Sequence, residues 1–291
     1  MGFTFHSGEL ELQKRAGVRE IADRVARGIH PVVPSAGAAF LKDRRFVVLS
    51  TTDAQGRPWA SLLAGPTGFA RVPDEHTIHI DAVPPDGDPL ARNLITGSLA
   101  GVLAPDLATR RRIRINGRLE AVPGGIVIHV DQAYSNCPRY IQVREPEGEA
   151  KATRARLAGR SSSLQPRHRD WIRRVDTFFI ATLVPGVGAD ASHRGGMPGF
   201  VKVEDNELIW ADYPGNAMFN TLGNILEYPR AGVLIPDFTT GSSLQMTGPA
   251  IIEREPELRV RFTPEEVVEL EDVFPEHLRL VEYSPFNPAA S

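Results

Sequence analysis

The chain has 291 residues, of which 42% are hydrophobic and 24% are charged. This length predicts about two globular domains, and the composition excludes a disordered or fibrous protein. The 33 basic and 36 acidic side chains give a formal net charge of −3, which argues against nucleic acid as a partner. No apolar run reaches the length of a membrane span, and MGFTFHSGEL lacks the features of a secretory leader. We therefore expect a cytoplasmic protein with no membrane partner.

The first predicted element is a helical arm, which we assign to residues 1–40. Apolar residues recur there at approximately helical spacing, at Leu10, Leu12, Val18, Ile21, Val25 and Ile29.

An internal repeat with an offset of 131 residues is the most informative feature of the chain. GFARVPDEHTIHIDA at 68–82 corresponds to GFVKVEDNELIWADY at 199–213, and AGVLAPDLAT at 100–109 corresponds to AGVLIPDFTT at 231–240. The spacing between the two blocks is the same in both halves of the chain. The sequence therefore predicts two copies of one domain.

Each copy has the pattern of short β-strands with one inserted helix. In copy one, β-rich runs and turn signals predict strands at 46–52, 57–63, 77–81, 101–103 and 112–120, with a helix at 89–94. In copy two they predict strands at 178–182, 193–203, 207–211, 232–235 and 243–253, with a helix at 217–226. Thr263-Pro264-Glu265-Glu266 has the pattern of a capping box and predicts a last helix. The predicted fold is mainly β (α+β), with tandem split β-barrels at 41–145 and 171–291 joined by a polar linker at 146–170.

Two motifs of copy two suit an anionic, planar ligand. DASHRGG at 190–196 puts Arg194 beside two glycines, which allow close approach to a flat ligand, while the arginine binds phosphate or a ring carbonyl. A bulged outer strand with an exposed arginine is the alternative interpretation. ADYPGNAMFNTLGN leads into a helix whose N-terminus attracts phosphate, although Asn216 there also suits a simple helix cap. Copy one has Asp86 and Asp88 at the corresponding turn, so copy two is the favoured phosphate site.

The run from DASHRGG through PGFVKV, ADYPGN, NTLGNILEYPRAGVL and LQMTG resembles the FMN-binding split-barrel proteins related to pyridoxamine 5′-phosphate oxidase. FHSGELELQKRAGVRE and YSNCPRYIQ resemble the two-barrel members of that family. The resemblance implies FMN as cofactor, with a pocket completed across a barrel interface, either within one chain or in a homodimer. The implied cofactor-binding residues of copy two are Ser192, His193, Arg194, Gly195, Asp212, Tyr213, Asn216, Asn220, Thr221 and Gln245. Classical members also hold the phosphate with a lysine and further arginines, and copy two has no lysine that matches the family's.

Two features of copy one complete the candidate site. Arg112 and Arg114 alternate with apolar residues, so they share a strand face and are candidates to reach a flavin bound by copy two, or else belong to a solvated face. Cys137 precedes Pro138 in a pattern typical of a first helical turn, which favours a reactive thiolate. A small buried hydrophobe is the alternative for this cysteine. The eight histidines lack metal-ligand spacing, and we expect no metal site.

These features predict an FMN-dependent oxidoreductase that acts on a small molecule, with Cys137 as the single catalytic candidate. A non-catalytic flavin carrier is the first alternative, because no acid–base set is evident. A split barrel that uses deazaflavin or haem is the second.

Overall fold

The computed structural model describes residues 3–148, 155–254 and 257–288. The helices are α1 (Ser7–Arg15), α2 (Arg19–Ala26), α3 (Ser35–Lys42), α4 (Leu90–Asn93), α5 (Pro166–Ile172) and α6 (Asn220–Glu227). The strands of the first half are β1 (Phe46–Thr52), β2 (Pro58–Ala64), β3 (Ala70–Asp74), β4 (Thr77–Ile80), β5 (Leu99–Asp106), β6 (Arg111–Val122), β7 (Gly125–Ser135) and β8 (Val143–Glu147). Those of the second half are β9 (Arg156–Ser161), β10 (Thr177–Val184), β11 (Gly188–Gly195), β12 (Val201–Glu204), β13 (Glu207–Ala211), β14 (Arg230–Asp237), β15 (Ser242–Glu253), β16 (Arg259–Phe262), β17 (Glu266–Glu271) and β18 (His277–Glu282).

The strands form two antiparallel split barrels with the same strand order. The first runs β2-β1-β5-β6-β7-β4-β3, and the second runs β11-β10-β14-β15-β16-β13-β12, with β17 and β9 added beside β15. Strands β1, β3, β5 and β6 begin 131 residues before β10, β12, β14 and β15. The mainly β, tandem-barrel fold predicted from the sequence is confirmed.

Strands β1 and β10 are buried on both faces because the barrels pack against each other through them. Val47 and Leu49 of β1 belong to the core of the first barrel, whereas Phe46 and Val48 belong to a separate core between the barrels. Successive side chains of β10 point alternately into the core of the second barrel and into the core between the barrels. This double burial explains why FVVLSTT is continuously apolar at its start.

The barrel backbones approach most closely at equivalent glycines. A Cβ atom on Gly101 would lie 2.7 Å from the Ala189 carbonyl oxygen, and one on Gly232 would lie 2.6 Å from the Pro58 carbonyl oxygen. A side chain at either glycine would push the interface apart.

The N-terminal arm differs from the single long helix suggested by its spacing. It breaks at Gly17, whose φ of +67° is accessible to glycine, and so forms α1 and α2. A third helix, α3, begins within the segment assigned to the arm and ends two residues beyond it, at Lys42. Helix α1 crosses onto α6 of the second barrel, where a Cβ on Gly8 would lie 2.4 Å from the Gly223 carbonyl oxygen.

In the second half of the chain, one predicted element is wrong and one begins later than predicted. The Thr263–Glu266 capping box precedes strand β17 instead of a helix, because Val267 and Val268 pair with β15 and bury their side chains. The helix predicted at 217–226 begins at Asn220, since Ala217 and Phe219 have φ near +60°, outside the helical region.

The predicted linker at 146–170 contains ordered structure in its described part. Strand β9 pairs with β17 of the second barrel, and α5 begins at Pro166. No strand pattern is evident in the sequence here, because β9 lies at the edge of the sheet and most of its residues are exposed. Among the described helices, none has both the length and the apolar character needed to cross a bilayer.

Candidate functional site

A cavity of about 470 Å³ lies where the second barrel, the first barrel and the N-terminal arm meet. Its size falls in the range of small-molecule sites, roughly 300–1,000 Å³. The second barrel contributes β11, the end of β13, the turn after it and the start of α6, while the first barrel contributes β6 and the loop after β7. Of the residues predicted to bind a cofactor, those lining the cavity are Arg112, Arg114, Ser192, His193, Arg194, Gly195, Asp212, Tyr213, Asn216, Asn220 and Thr221.

Four guanidinium groups and one carboxylate line this cavity. Arg114 is paired with Asp190, Nη2 to Oδ1 at 2.5 Å, and Arg194 lies 3.5 Å from the Asp212 carboxylate. Arg112 forms no ion pair within the described part of the chain, and the only hydrogen bond of its side chain there is to Nδ1 of the His193 ring, at 3.2 Å. The cavity therefore carries an uncompensated positive charge at Arg112.

Burial of this cationic cluster shifts the pKa values of its members. Burial, together with the charges of Arg114 and Arg194, lowers the pKa of Arg112 to about 9. Burial and the neighbouring arginines, Arg112 first, hold the pKa of His193 well below its ordinary value, so its ring is neutral at pH 7. Because Arg112 donates to Nδ1, the ring hydrogen of His193 lies on Nε2, which is buried without a partner among the described residues. A bound anion would relieve the repulsion among the arginines.

The start of α6 is open on the cavity side. Phe219, the residue before the helix, has φ of +62° and supplies no side-chain cap. Asn216 does not cap the helix as the sequence suggested; its Oδ1 accepts from the Met218 N–H and its amide nitrogen donates to Asn136 of the first barrel. Thr221 donates its hydroxyl to Ser192 Oγ at 3.1 Å. Backbone donors at this helix start, together with the helix dipole, favour an anion.

A buried polar network lies beneath the cavity, with Asp190 at its centre. The Asp190 carboxylate accepts from Arg114, from the amide of Asn116 at 2.7 Å and from the amide of Asn224 at 2.7 Å. Asn224 also accepts from Nε2 of His6 in the arm. The network thereby joins both barrels and the arm, and it fixes the position of the Arg114 guanidinium.

Glu9 connects the arm to the start of α6. Its Oε1 accepts from the Asn220 amide at 2.6 Å and its Oε2 accepts from the His6 N–H at 3.0 Å. Burial, followed by the negative charge of Asp190, raises the pKa of Glu9 to about 7. Gln13 adds a third tie, donating to the Met218 carbonyl oxygen at 2.9 Å.

Gln245 does not line the cavity. It is fully buried on the other side of the barrel interface, where its amide nitrogen donates to Asp88 Oδ2 at 2.7 Å. The motif LQMTG lies on β15, which packs against β2 of the first barrel, so Gln245, predicted to bind the cofactor, lies outside this cavity. Strand β6, the counterpart of β15 in the first barrel, contributes residues to the cavity instead.

Cys137 lines the cavity, but no helix begins at Pro138. The loop turns through Tyr140, whose φ is +66°, and the Tyr140 hydroxyl donates to the Pro214 carbonyl oxygen of the second barrel at 2.9 Å. The prediction of a helix N-terminus acting on the thiol is therefore wrong.

Sequence reasoning missed several residues of the cavity wall. They come from the arm, the loop after β7 and the strand side of the second barrel, and they include Ala16, Val18, Ile21, Asn136, Arg139, Tyr140, Phe200, Phe219 and Leu258. The similarity of FHSGEL and YSNCPRY to two-barrel family members was the available signal for the arm and the loop. The apolar residues carried no signal of their own. Within the described ranges, no group of three or more histidine, cysteine, aspartate or glutamate side chains is arranged to hold a metal ion.

Solved structures with similar folds share little sequence with this chain. HupZ of Group A Streptococcus is 18% identical, with a TM-score of 0.28, over 35% of this chain and 93% of its own. A FAD-binding protein of Mesorhizobium loti is 13% identical, with a TM-score of 0.30, over 40% of this chain and 98% of its own. The FAD-binding protein of Mycobacterium smegmatis is 13% identical, with a TM-score of 0.29, over 38% and 98%.

A comparison with protein families matches residues 33–133 to the family described as pyridoxamine 5′-phosphate oxidase. The matched region runs from just before α3 into β7, so it covers the first barrel, whereas most of the motifs that carried the sequence resemblance lie in the second. A comparison with curated proteins finds no match. This match confirms the resemblance predicted from the sequence: residues 33–133, which contain the first barrel, are similar to the pyridoxamine 5′-phosphate oxidase family.

Proposed function

We propose that the protein is an FMN-dependent oxidoreductase that acts on a small molecule, and that the flavin binds in the cavity of the second barrel. The observation that carries this proposal is the cluster of arginines in the cavity, in which Arg112 has no ion-pair partner among the described residues, beside the uncapped start of α6. The similarity of residues 33–133 to the pyridoxamine 5′-phosphate oxidase family supports a flavin as the anionic ligand.

The chain's residues fit the two parts of such a ligand. The N–H groups at the start of α6 and the hydroxyls of Ser192 and Thr221 would hold the phosphate, and Arg194 would neutralise part of its charge. Strand β11 ends at Gly195, where the missing side chain leaves room for a flat ring against the backbone. Tyr213 and the loop after β7 would cover the ring from the side of the first barrel.

Bound FMN supplies hydride or single-electron transfer, and the protein supplies binding, orientation and electrostatics. Arg112 would place positive charge beside the ligand, with His193 neutral next to it. Asp190 holds Arg114 in place through a buried ion pair. The arm excludes water from one side through Ala16, Val18 and Ile21.

The first barrel is proposed to serve as a wall of the site instead of binding a second flavin. At the turn equivalent to the start of α6, the Asp88 carboxylate is buried and accepts from the N–H of Leu90 at 2.8 Å. A phosphate beside that carboxylate would lose at least about 1 kcal/mol of Coulomb energy per charge pair. The identical strand order of the two sheets supports an origin of both barrels by internal duplication.

Spectroscopy and stoichiometry test the proposal. Purified chain loaded with FMN should show flavin maxima near 370 and 450 nm, roughly, and bind one flavin per chain. A Soret band with no flavin spectrum, or two flavins per chain, would contradict it. Steady-state oxidation of NAD(P)H by the loaded protein separates an enzyme from a flavin carrier, because a carrier shows no turnover. We also expect a cytoplasmic protein that forms a homodimer. Sedimentation with and without FMN tests its oligomeric state.

A further inference from the structure

Asp88 occupies an unusual position at the interface between the barrels. Its side chain is almost fully buried, at 1% exposure, and accepts three hydrogen bonds. Oδ1 accepts from the Ser61 hydroxyl at 2.7 Å and from the Leu90 N–H at 2.8 Å, while Oδ2 accepts from the Gln245 amide at 2.7 Å. The donors come from both barrels, so the carboxylate is held across the interface.

No arginine or lysine pairs with Asp88 in the described part of the chain. Burial raises the pKa of the Asp88 carboxyl, and its three hydrogen bonds partly offset this effect. A buried carboxylate without a cation is costly, and hydrophobic residues of similar volume would fill an ordinary core more cheaply. The donors around Asp88 therefore have the arrangement of an anion-binding site, which an apolar packing site would not need.

The residues that donate to Asp88 have counterparts in the cavity of the second barrel. The offset of 131 residues relates Ser61 to Ser192 and Leu90 to Thr221, and the same offset relates Arg114 in the first barrel to Gln245 in the second. All three counterparts, Ser192, Thr221 and Arg114, line the cavity.

Each barrel contains an equivalent asparagine–threonine hydrogen bond, which shows that these positions correspond in space. The Asn93 amide donates to the Thr51 hydroxyl at 3.4 Å, and the Asn224 amide donates to the Thr182 hydroxyl at 3.0 Å. Both pairs are related by the offset of 131. The position of Asp88 itself corresponds to Phe219, which offers no acceptor to the helix.

We propose that the first barrel retains an anion-binding site that the chain closes with its own Asp88, and that removal of this side chain makes the site accept a small external carboxylate. Ser61, the Leu90 N–H and Gln245 would then hold the external carboxylate with the same three donors. The proposal does not depend on the identity of the ligand in the second barrel.

Chemical rescue tests this site. Asp88→Ala leaves space for formate and Asp88→Gly leaves space for acetate, while Asp86→Ala, which removes an exposed carboxylate two residues away, is the matched control. Thermal unfolding of each variant and of the original chain is followed against formate or acetate, with chloride at matched ionic strength as reference. A ligand that binds only the folded state raises the unfolding midpoint with its concentration.

We expect formate to raise the midpoint of Asp88→Ala by several degrees more than that of the original chain or of Asp86→Ala, and acetate to do the same for Asp88→Gly. Calorimetric titration should find one formate site more in Asp88→Ala than in the original chain. Equal shifts in all proteins would overturn the proposal, because the anion would then act outside this site. Variants that stay unfolded at every formate and acetate concentration would overturn it equally.

Discussion

The two barrels present the same framework at their interface and differ in what completes it. Each has a serine on its outer strand, Ser61 or Ser192, below the start of a helix held by an asparagine–threonine pair. In the first barrel Asp88 fills the space between these parts, and Gln245 is its partner. In the second barrel the equivalent of Asp88 is Phe219, and the space opens into the cavity.

The difference shows how few side chains separate a closed interface from a ligand site. An internal carboxylate needs only neutral donors, so glutamine suffices opposite Asp88. An open site for an external anion has arginine at that position, and Arg114 in turn requires Asp190 to hold it. The counterpart of Asp190 in the first barrel is Trp59, an apolar residue of the interface core.

The largest expected effect comes from the residues that differ most, Arg114 and Gln245. Arg114→Met removes the cation of a buried pair and leaves Asp190 uncompensated, so we expect a loss of about 3–5 kcal/mol in the free energy of unfolding. Gln245→Met removes one neutral donor from Asp88 and should cost about 1–3 kcal/mol. Urea unfolding of both variants provides the measurement. Equal losses would show that the two networks are energetically alike.

The pH dependence of stability should report the arm, which packs on the second barrel. The pKa of Glu9 is about 7 in the folded chain, above its ordinary value of 4.5, so the folded state holds the proton more tightly than the unfolded state. Protonated Glu9 therefore stabilises the folded chain fully below about pH 4.5. This stabilisation, on the order of 2–3 kcal/mol, is lost as the pH rises to about 7. Glu9→Gln should flatten this decline in urea unfolding measured from pH 4.5 to 8. Glu11→Gln, on the exposed side of the same helix, should leave the decline in place.

Substitutions at equivalent helix positions sharpen the comparison further. Gly223 of α6 corresponds to Arg92 of α4, and a Cβ on Gly223 would lie 2.6 Å from Glu9 Cγ and 2.8 Å from its backbone nitrogen. Gly223→Ala should therefore displace the arm and lower the free energy of unfolding by about 1–3 kcal/mol. Arg92→Ala, on an exposed position with no arm above it, should change it by less than about 0.5 kcal/mol. A neutral Gly223→Ala would mean that the arm is not packed tightly on α6.

The last prediction concerns ligand binding instead of the stability of the fold. Arg194→Ala should weaken FMN binding by more than about 1.5 kcal/mol, roughly tenfold, if the guanidinium bonds to the cofactor. Its counterpart in the first barrel is Leu63, a residue of that barrel's core. Fluorescence titration with FMN measures the change, with Arg92→Ala as the control. Unchanged affinity would remove Arg194 from the site.

Local pattern, the repeat and the family resemblance were sufficient to predict the barrels and many of the polar residues that line the cavity. The offset of 131 specified two copies, and β-branched runs specified their strands, because alternation and turn chemistry are local properties. Arg112 was identified from strand alternation and Arg194 from motif chemistry, whereas Ser192 and Thr221 were implied by the family resemblance. Their shared position in one cavity required no knowledge of the interface beyond the family resemblance.

Tertiary structure decided the features that depend on contacts distant in the chain. Glu266–Glu271 follows a helix-like capping box but forms a strand, because β15 and β9 offer pairing that outweighs local propensity. Gln245 lies outside the cavity because β15 packs on the first barrel, where the Gln245 amide donates to Asp88. Arg114 and Asp190 are 76 residues apart, and Glu9 and Asn220 are 211 apart, so no local pattern links them. Their pairing arises only when the barrels dock and the arm crosses between them, since burial without a partner would be costly for each of these charges.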